Sequence, residues 1–351
     1  MLYYNIKGDI DMKFRKTLTL ALAGMLTICS VGTSLALWQE YGTHGGFEGG
    51  WKRFYGRDRI KTAEYTANSL NPHKDKDSVF QLKEGEGVPT VLVNQDSFQD
   101  GLSAYNLCKA FNARLLLIKP DYANIGLMRD YYKSKTVYLL GSEKEIYKST
   151  ENYIKKYMPK ANVVRIGNSN AYDRNMATIK MSGLSRVVVA DGRKFPDALS
   201  ASGLCNLENL GLRLVDGSKP YSQNGLTTVY TVGGVDSVAQ DGGKRLFGND
   251  RYDTGKEVAR QAKGYLNIVF VDGRRFPDSV SGINLVKPRT AIVLPISDDR
   301  DNSDMKEFLA ALPKSENSDS WDIEKCGAAL VVGGHNSVSD KTVQKMLYPS
   351  K

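Results

Sequence analysis

Two loops of nearly identical sequence carry the residues best suited to chemistry. Segments 188–197 and 269–278 both read Val-x-x-Asp-Gly-Arg-x-Phe-Pro-Asp, running from an apolar stretch through a glycine turn into a helical pattern. Ligand sites in open α/β sheets lie at the carboxyl ends of strands, and arginine binds phosphate or carboxylate through two hydrogen bonds. The loops therefore predict an anion-binding site formed by Asp191, Arg193, Asp272 and Arg274.

A structural role competes with this interpretation for the acidic residues that end each motif. Asp197 and Asp278 each follow a proline, which is favoured in the first turn of a helix. A carboxylate in that turn complements the helix dipole, typically by about 0.3–1 kcal/mol. We therefore expect both residues, and their counterpart Asp100 in the weaker copy at 91–100, to be structural.

Three Asp-Arg pairs form a second recurring feature: Asp58-Arg59, Asp173-Arg174 and Asp250-Arg251. Each pair lies just before a helical pattern, so its aspartate is expected to cap that helix, at a typical gain of ~1 kcal/mol. The arginine either bridges to a neighbouring copy or faces a ligand, and its recurrence fits both interpretations. Arg59, Arg174 and Arg251 therefore join the candidate ligand-binding residues.

The sequence contains no recognisable catalytic constellation. Three histidines and four cysteines make a His/Cys zinc cluster hard to build. The glycine pairs 233–234 and 333–334 lack the continuation of a nucleotide-binding glycine loop. We predict no catalytic residue, no metal and no cofactor. An enzyme concentrates its chemistry in one site, whereas these residues are spread over three copies, which favours a multivalent binder.

Internal repetition explains this distribution. The opening motif at 53–60 recurs at 245–252, and a looser third copy begins at Arg165 with three extra residues before Asp173-Arg174. Each copy closes with an apolar run that ends in glycine, namely Gly141, Gly233 and Gly333. The unit is about 90 residues long, so each copy has the size of a domain rather than of a solenoid repeat.

Short, continuous apolar runs predict parallel strands that are covered on both faces, such as 91–93, 115–118 and 137–140 in the first copy. Within each copy the pattern predicts helix, strand, helix, strand, helix, strand, with crossover helices between parallel strands. Each copy is therefore expected to be a small open α/β sandwich. The predicted domains are 51–150, which is the divergent copy, 151–240 and 241–351.

The first 36 residues have the layout of a secretory signal peptide. A basic segment at 12–16 precedes an uncharged run rich in Leu and Ala, and Ser34-Leu35-Ala36 provides small residues for cleavage. Met12 is an alternative start. The uncharged run extends to Gln39, long enough for an uncleaved membrane anchor, so that alternative stays open. Residues 37–50 form a short linker.

Composition narrows the function classes. The chain has 351 residues, of which 41% are hydrophobic and 25% charged, and this excludes a wholly disordered or polytopic membrane protein. Its formal net charge of +9 favours an anionic partner. Nucleic acid ranks last among such partners, because the export signal argues against it and the basic residues are not interleaved with aromatic ones.

The motifs resemble a known family. The Arg-x-x-Gly-x-Asp-Arg-Tyr opening at 245–252, the Phe-Pro-Asp-Ala-Leu-Ser-Ala stretch at 195–201 and the closing Val-Gly-Gly are similar to the cell-wall-binding repeat, type 2, of Gram-positive surface proteins. The resemblance implies three tandem Rossmann-like α/β sandwiches, packed as a pseudo-threefold trimer that attaches non-covalently to an anionic secondary wall polymer. The first copy departs from the motif, because Asn94 replaces its loop aspartate and Gln95 its glycine.

Two functions follow as hypotheses. The first is a secreted protein of the cell wall or cell surface that binds a teichoic-acid-like polymer or a phosphorylated polysaccharide, and associates with other surface-layer proteins. The alternative is an α/β enzyme that processes wall glycan or a sugar-phosphate in one specialised copy. For that enzyme the divergent first copy is the candidate, with Asp96 and Asp100 as a weak acid/base pair.

Overall fold

The computed structural model describes residues 51–69, 87–265, 267–312 and 329–347. The predicted signal peptide and linker therefore lie outside the described residues. In chain order the strands are β1 (Trp51–Phe54), β2 (Thr90–Asn94), β3 (Arg114–Ile118), β4 (Thr136–Leu140), β5 (Asn162–Ile166), β6 (Arg186–Asp191), β7 (Gly211–Val215), β8 (Thr227–Val232), β9 (Lys244–Leu246), β10 (Asn267–Asp272), β11 (Ala291–Ile296) and β12 (Ala329–Val332).

The helices of the same ranges are α1 (Arg59–Ala67), α2 (Phe98–Phe111), α3 (Lys148–Tyr157), α4 (Ala171–Ser182), α5 (Phe195–Leu207), α6 (Arg251–Gln261), α7 (Phe276–Ser279), α8 (Ile283–Val286), α9 (Ser303–Ala310) and α10 (Asp340–Leu347). A π-helical turn (Leu127–Tyr131) lies between β3 and β4, and a 3₁₀ turn (Val280–Gly282) joins α7 to α8. None of the helices in the described ranges combines the length and apolarity needed to cross a bilayer.

Three parallel sheets of four strands form the centres of three α/β sandwiches. Their strand orders are β3-β2-β4-β5, β7-β6-β8-β9 and β1-β12-β10-β11. In the first two sheets, the outer strand is the opening strand of the next repeat along the chain. The third sheet is completed by β1, the opening strand of the first repeat, which pairs with β12 in parallel. The three repeats are thereby linked in a closed cycle.

The strands form where the sequence is continuously apolar. Val91, Leu92 and Val93 of β2 are fully buried, as are the central valines of β6. Burying one such side chain contributes about 1.5–3 kcal/mol, and helices on both faces of the sheet make that burial complete. The three strands predicted for the first copy are confirmed, each extended by one or two residues.

Helices from neighbouring repeats pack against each other around the cycle. Helix α2 contacts α4, α5 contacts α6, and α1 contacts the α7–α8 segment. Equivalent phenylalanines begin the helices α2, α5 and α7. The ring centroids of Phe98 and Phe195 lie 5.5 Å and 6.4 Å from that of Phe276. The three repeats therefore meet at a common apolar centre.

At two of these interfaces an asparagine side chain hydrogen-bonds both the amide and the carbonyl oxygen of one edge-strand residue in the neighbouring repeat. Asn106 of α2 donates to the Leu212 carbonyl oxygen at 3.0 Å and accepts from the Leu212 amide at 2.8 Å. Asn284 of α8 makes the same pair of bonds to Leu115, at 2.9 and 2.8 Å. At the remaining interface the equivalent residue is Gly203, where a Cβ atom would lie 2.7 Å from the Ile292 Cα. Backbone contact replaces the amide there.

The predicted fold class is confirmed, but the predicted order of elements needs correction, and the helices α3 and α10 that follow the closing strands β4 and β12 were not predicted. First, each copy opens with a short strand that the sequence analysis did not predict: β1, β5 and β9. Their motifs mix Arg with apolar residues, so they do not show the continuous apolar run of a central strand. Second, residues 216–226 between β7 and β8 form turns, so repeat two lacks the predicted helix at this position. The segment is too short for a crossover helix.

Candidate functional site

In repeat two, the loop after β6 is held by an ion pair between two of its own residues, Asp191 and Arg193. Asp191 is 1% exposed and accepts hydrogen bonds from the Arg193 amide at 3.0 Å and from Arg193 Nε at 2.9 Å. Arg193 Nη2 then donates to the Ser237 carbonyl oxygen at 2.9 Å. The guanidinium therefore spans the ends of β6 and β8 with 36% of its side chain exposed. A ligand would meet Arg193, whereas Asp191 lies beneath it.

The loop after β10 in repeat three has the same construction. Asp272 is 1% exposed and accepts from the Arg274 amide and from Arg274 Nε, both at 2.9 Å. Arg274 Nη2 donates to the Ser337 carbonyl oxygen at 2.8 Å, and Nη1 contacts Asp299. The hydrogen bonds from Arg274 to these carboxylates raise its pKa above the usual value. Arg274 therefore stays cationic, and Asp272, like Asp191, holds the arginine in place.

In repeat one, the loop after β2 is also held by side-chain hydrogen bonds, but the residues that make them are different. Asn94 takes the place of the loop aspartate and donates to the Glu145 carbonyl oxygen at 3.1 Å. Its side-chain oxygen accepts the Asp96 amide at 2.9 Å. Asp96 stands where the other loops have arginine, and Arg59 binds it at 2.6 Å. At the position of the loop arginine, this repeat therefore presents an exposed carboxylate that is held by Arg59.

The predicted helix caps are confirmed at Asp58 and Asp250. Asp58 accepts the Lys61 amide at 2.8 Å, and Asp250 accepts two amides of the first turn of α6. The arginine that follows each cap turns to the loop of its own repeat. Arg251 donates to the Gly273 carbonyl oxygen at 2.6 Å, just as Arg59 reaches Asp96. Both arginines therefore lie beside the strand-end loops.

The helix cap predicted at Asp173 is wrong. Asn170 caps α4 by accepting the Asp173 amide at 2.9 Å, so Asp173 lies inside the helix. No insertion separates this copy from the others, because the cap follows the opening arginine by five residues at Arg165, as at Arg53 and Arg245. Asp173-Arg174 was matched to the other two pairs because it has the same residue types. Asparagine is as good a helix cap as aspartate, so Asn170 takes that role.

Arg174 instead connects repeats one and two. Its side chain is 4% exposed, and Nε and Nη2 bind the two carboxylate oxygens of the fully buried Asp100 at 2.7 and 2.9 Å. Ser97 also donates to Asp100, at 2.7 Å. Of the two roles considered for this arginine, the structure shows the bridge between copies. Asp100 has a structural role, as expected. It forms this ion pair in addition to complementing the dipole of its own helix.

The counterparts of Asp100 lie in different surroundings. Asp278 accepts a hydrogen bond from the Ser337 hydroxyl at 3.0 Å. Helix α6 has Thr254 where α4 has Arg174, and within the described residues the Asp197 side chain forms no hydrogen bond or ion pair. Burial raises the pKa of the Asp197 carboxyl to about 6 despite the nearby charge of Arg251. All three aspartates are in the first turn of their helices, as predicted.

One arginine contact that recurs in all three repeats was not predicted from the sequence. The opening arginine of each repeat donates to the carbonyl oxygen of the closing glycine in the sheet that it completes. Arg53 reaches Gly333 at 2.7 Å, Arg165 reaches Gly141 at 3.0 Å and Arg245 reaches Gly233 at 2.9 Å. These glycines adopt φ values of +111° to +151°, which other residues rarely adopt. The recurrence of Arg and Gly was visible in the sequence, but their pairing across repeats was not.

Partly exposed arginines lie beside the strand ends, among them Arg59, Arg193, Arg251 and Arg274, and also Arg275, which binds Asp272 at 3.0 Å. Within the described residues, no group of three or more His, Cys, Asp or Glu side chains could hold a metal ion. Arg174, Asp191 and Asp272 were also predicted to bind the ligand. The structure places all three at 3% exposure or less, so their role here is to hold other residues.

Comparisons with known proteins agree with this architecture. The Amidase enhancer of Bacillus subtilis (strain 168) is 26% identical over 261 residues, covering 70% of this chain and 35% of that protein. N-acetylmuramoyl-L-alanine amidase LytC of the same organism is 24% identical over 223 residues, covering 58% of this chain and 44% of that protein. The chain thus spans less than half the length of these curated relatives.

Two solved structures share the fold. Cwp6 from Clostridium difficile has a TM-score of 0.67 at 18% identity, over 84% of this chain and 47% of that one. Cwp8 from the same organism has a TM-score of 0.62 at 18% identity, over 84% of this chain and 50% of that one. The family described as cell wall binding domain 2 matches residues 53–151, 165–241 and 245–343. Because these segments cover most of the chain, the protein belongs to the cell wall binding domain 2 family.

Proposed function

We propose that this protein binds the cell wall non-covalently through an anionic secondary polymer, which is teichoic-acid-like or a phosphorylated polysaccharide. Family membership supports wall binding in general. The observation that carries the finer proposal is the position of the loop arginines, which are held by buried aspartates and exposed at the strand ends. Preorganised guanidinium groups lose little entropy when they bind phosphate.

The proposed contacts are Arg193 and Arg274, with Arg59 and Arg251 beside them. The first pair keeps some donors beyond these contacts. Within the described residues Arg193 Nη1 makes no hydrogen bond, whereas Arg274 donates to Asp272, Asp299 and the Ser337 carbonyl oxygen and keeps one Nη1 hydrogen. Repeat one has an exposed carboxylate, Asp96, at the position of the loop arginine, so it is expected to bind the polyanion most weakly. This makes repeats two and three the main contacts of the proposed site.

Several weak sites on one body suit a repeating polymer. Once the first loop is bound, the next contact is intramolecular, and avidity can exceed a single-site affinity by about 10²- to 10⁴-fold. We also propose that the protein is exported, remains at the cell surface and associates with other surface-layer proteins. The predicted signal peptide supports export.

The test is co-sedimentation of residues 37–351 with cell walls of the host, before and after the phosphate-linked polymer is stripped off. We expect binding to disappear with the polymer and to weaken as salt shortens the Debye length. An Arg193→Gln/Arg274→Gln chain should lose most binding. Arg129→Gln, a surface arginine paired with its neighbour Asp130, is the matched control. Binding that survives polymer removal and high salt would contradict the proposal.

A wall-processing enzyme is the second candidate, since one relative is named as an amidase and another as an amidase enhancer. The acid/base pair considered for it is not available. Asp100 is fully buried and bound to Arg174, and Asp96 is bound to Arg59. These contacts support binding over catalysis. Release of soluble fragments from purified walls by this chain would favour the enzyme.

A further inference from the structure

Repeat one contains a cleft of about 380 Å³ that lies between the start of α1 and the turn after β3. Three cations and three carboxylates surround it: Arg57, Lys61, Lys119, Asp58, Glu64 and Asp121. Tyr122 lies at its rim with 56% of the residue exposed. The volume falls within the range of small-ligand pockets.

The sheet registers define the equivalent positions in the other repeats. Ile118, Val215 and Ile296 are the last residues of β3, β7 and β11, each paired with the loop residue at the end of the central strand. Counting four residues onward, Tyr122 corresponds to Lys219 and Arg300. The three turns can therefore be compared position by position.

In repeat three the corresponding groups satisfy one another. The Arg300 guanidinium lies 4.4 Å from the ring centroid of Tyr252 and 3.1 Å from Asp304. Asp299, which corresponds to Asp121, is bound by Arg274. In repeat three, Arg300 and Asp299, which correspond to Tyr122 and Asp121 of the cleft, are therefore engaged with other side chains.

Repeat two is closed in a similar way. Lys219, at the position of Tyr122, binds Asp216 at 3.1 Å. The loop arginine of this repeat, Arg193, also lies 3.6 Å from Asp216. The turn and the loop of repeat two thus form one charge cluster.

Repeat one cannot form these contacts. Its loop has Asp96 in place of arginine, and Ile60 occupies the helix position of Tyr252. Within the described residues, the side chains of Lys119 and Asp121 form no hydrogen bond or ion pair, and 56% of Tyr122 is exposed. The substitutions that weaken the anionic site in this copy therefore open a cleft of different character.

We propose that this cleft binds one uncharged sugar residue of a wall glycan, separately from the anionic polymer. The balanced charges give a polyanion no net attraction. They do offer alternating donors and acceptors to a polyhydroxyl ligand, because Lys61 and Glu64 pair at 2.5 Å while Lys119 and Asp121 remain available within the described residues. Tyr122 provides an aromatic platform for the apolar face of a sugar ring.

The test measures binding of the purified chain to four uncharged trisaccharides, of glucose, mannose, galactose and N-acetylglucosamine, by titration calorimetry and protein NMR. At least one should bind with one-to-one stoichiometry and a millimolar dissociation constant. Raising salt from about 50 to about 500 mM should leave this binding unchanged, since screening affects only charged ligands. Failure of all four to bind, or three equal sites per chain, would overturn the proposal.

Variants assign the binding to the cleft. Tyr122→Ala should weaken it about tenfold or more, while Tyr122→Phe should retain it within about threefold, because the ring supplies the contact. Arg300→Ala, at the equivalent position of repeat three, is the matched control. Equal binding by Tyr122→Ala and the parent chain would refute the assignment, provided that both unfold at the same urea concentration.

Poly(glycerol phosphate) provides the arm that separates this inference from the proposed function. Its binding should be unchanged in Tyr122→Ala and should weaken with salt. Loss of poly(glycerol phosphate) binding in that variant would overturn the separate sugar site. If the parent chain binds sugar but does not bind poly(glycerol phosphate), only the proposed binding of an anionic wall polymer is contradicted.

Discussion

Replacing Asp197 with asparagine should stabilise the protein at neutral pH. The carboxyl is half-buried near the interface of repeats two and three, where Thr254 stands in place of the arginine that binds Asp100. Burial raises its pKa from 3.8 to about 6. At 1.36 kcal/mol per pKa unit, this shift corresponds to a cost of up to about 3 kcal/mol for holding the ionised group in the folded state.

The sign of this effect fixes its pH dependence. Because the pKa is higher in the folded than in the unfolded state, the cost is absent below about pH 4 and is complete above about pH 6. Asp197→Asn should therefore raise the free energy of unfolding by up to about 3 kcal/mol at pH 7.5, and change it little at pH 4.

The assay is urea unfolding of the parent and the variant at both pH values, followed by circular dichroism. Asp100→Asn is the matched control at the equivalent position of repeat one. It leaves Arg174 without its carboxylate and should destabilise the protein at pH 7.5. A loss of stability in Asp197→Asn at pH 7.5, or an equal gain at both pH values, would refute the reasoning.

Two further substitutions test how the cycle of repeats is held together. Arg174→Ala leaves Asp100 buried and unpaired, so the free energy of unfolding should fall by about 3–5 kcal/mol, and the Arg174→Met/Asp100→Leu chain should recover much of that loss. A single-variant loss below about 1 kcal/mol in urea unfolding would mean that the bridge contributes little. Gly203→Ala places a Cβ 2.7 Å from the Ile292 Cα and should cost about 1–3 kcal/mol or more through backbone displacement, measured by the thermal midpoint. Gly126→Ala, at a residue with helical φ and only ordinary contacts, is its neutral control, and equal midpoints for these two variants would contradict the close approach of repeats two and three.

The three repeats illustrate how one architecture diverges at equivalent positions. Repeats two and three hold a loop arginine over a buried aspartate. Repeat one replaces both residues and gains a cleft beside Tyr122 instead. The common scaffold is maintained by contacts that do not involve these loops, such as the bond from each opening arginine to a closing glycine. Loop chemistry can therefore change in one copy without affecting how the copies assemble.

Some site residues were predictable because their roles are local. Asp58 and Asp250 cap helices that begin at the next residue, and a cap needs only a side-chain oxygen within one turn. Asp173 was wrongly assigned because Asn170 can make the same contact. Local rules allow both residues, and only the course of the backbone from β5 into α4 decides between them.

The sequence by itself determined the repeat unit, its short central strands and the helix starts at Asp58 and Asp250, because apolar runs and capping residues act over a few neighbouring positions. Only the tertiary structure decided that each sheet borrows its outer strand from another repeat, with β1 paired to β12. It also decided that Arg174 is buried against Asp100, while Arg193 and Arg274 remain partly exposed. These outcomes depend on contacts between residues far apart in the chain, and the periodicity of a sequence carries no record of which distant partners its folding brings together.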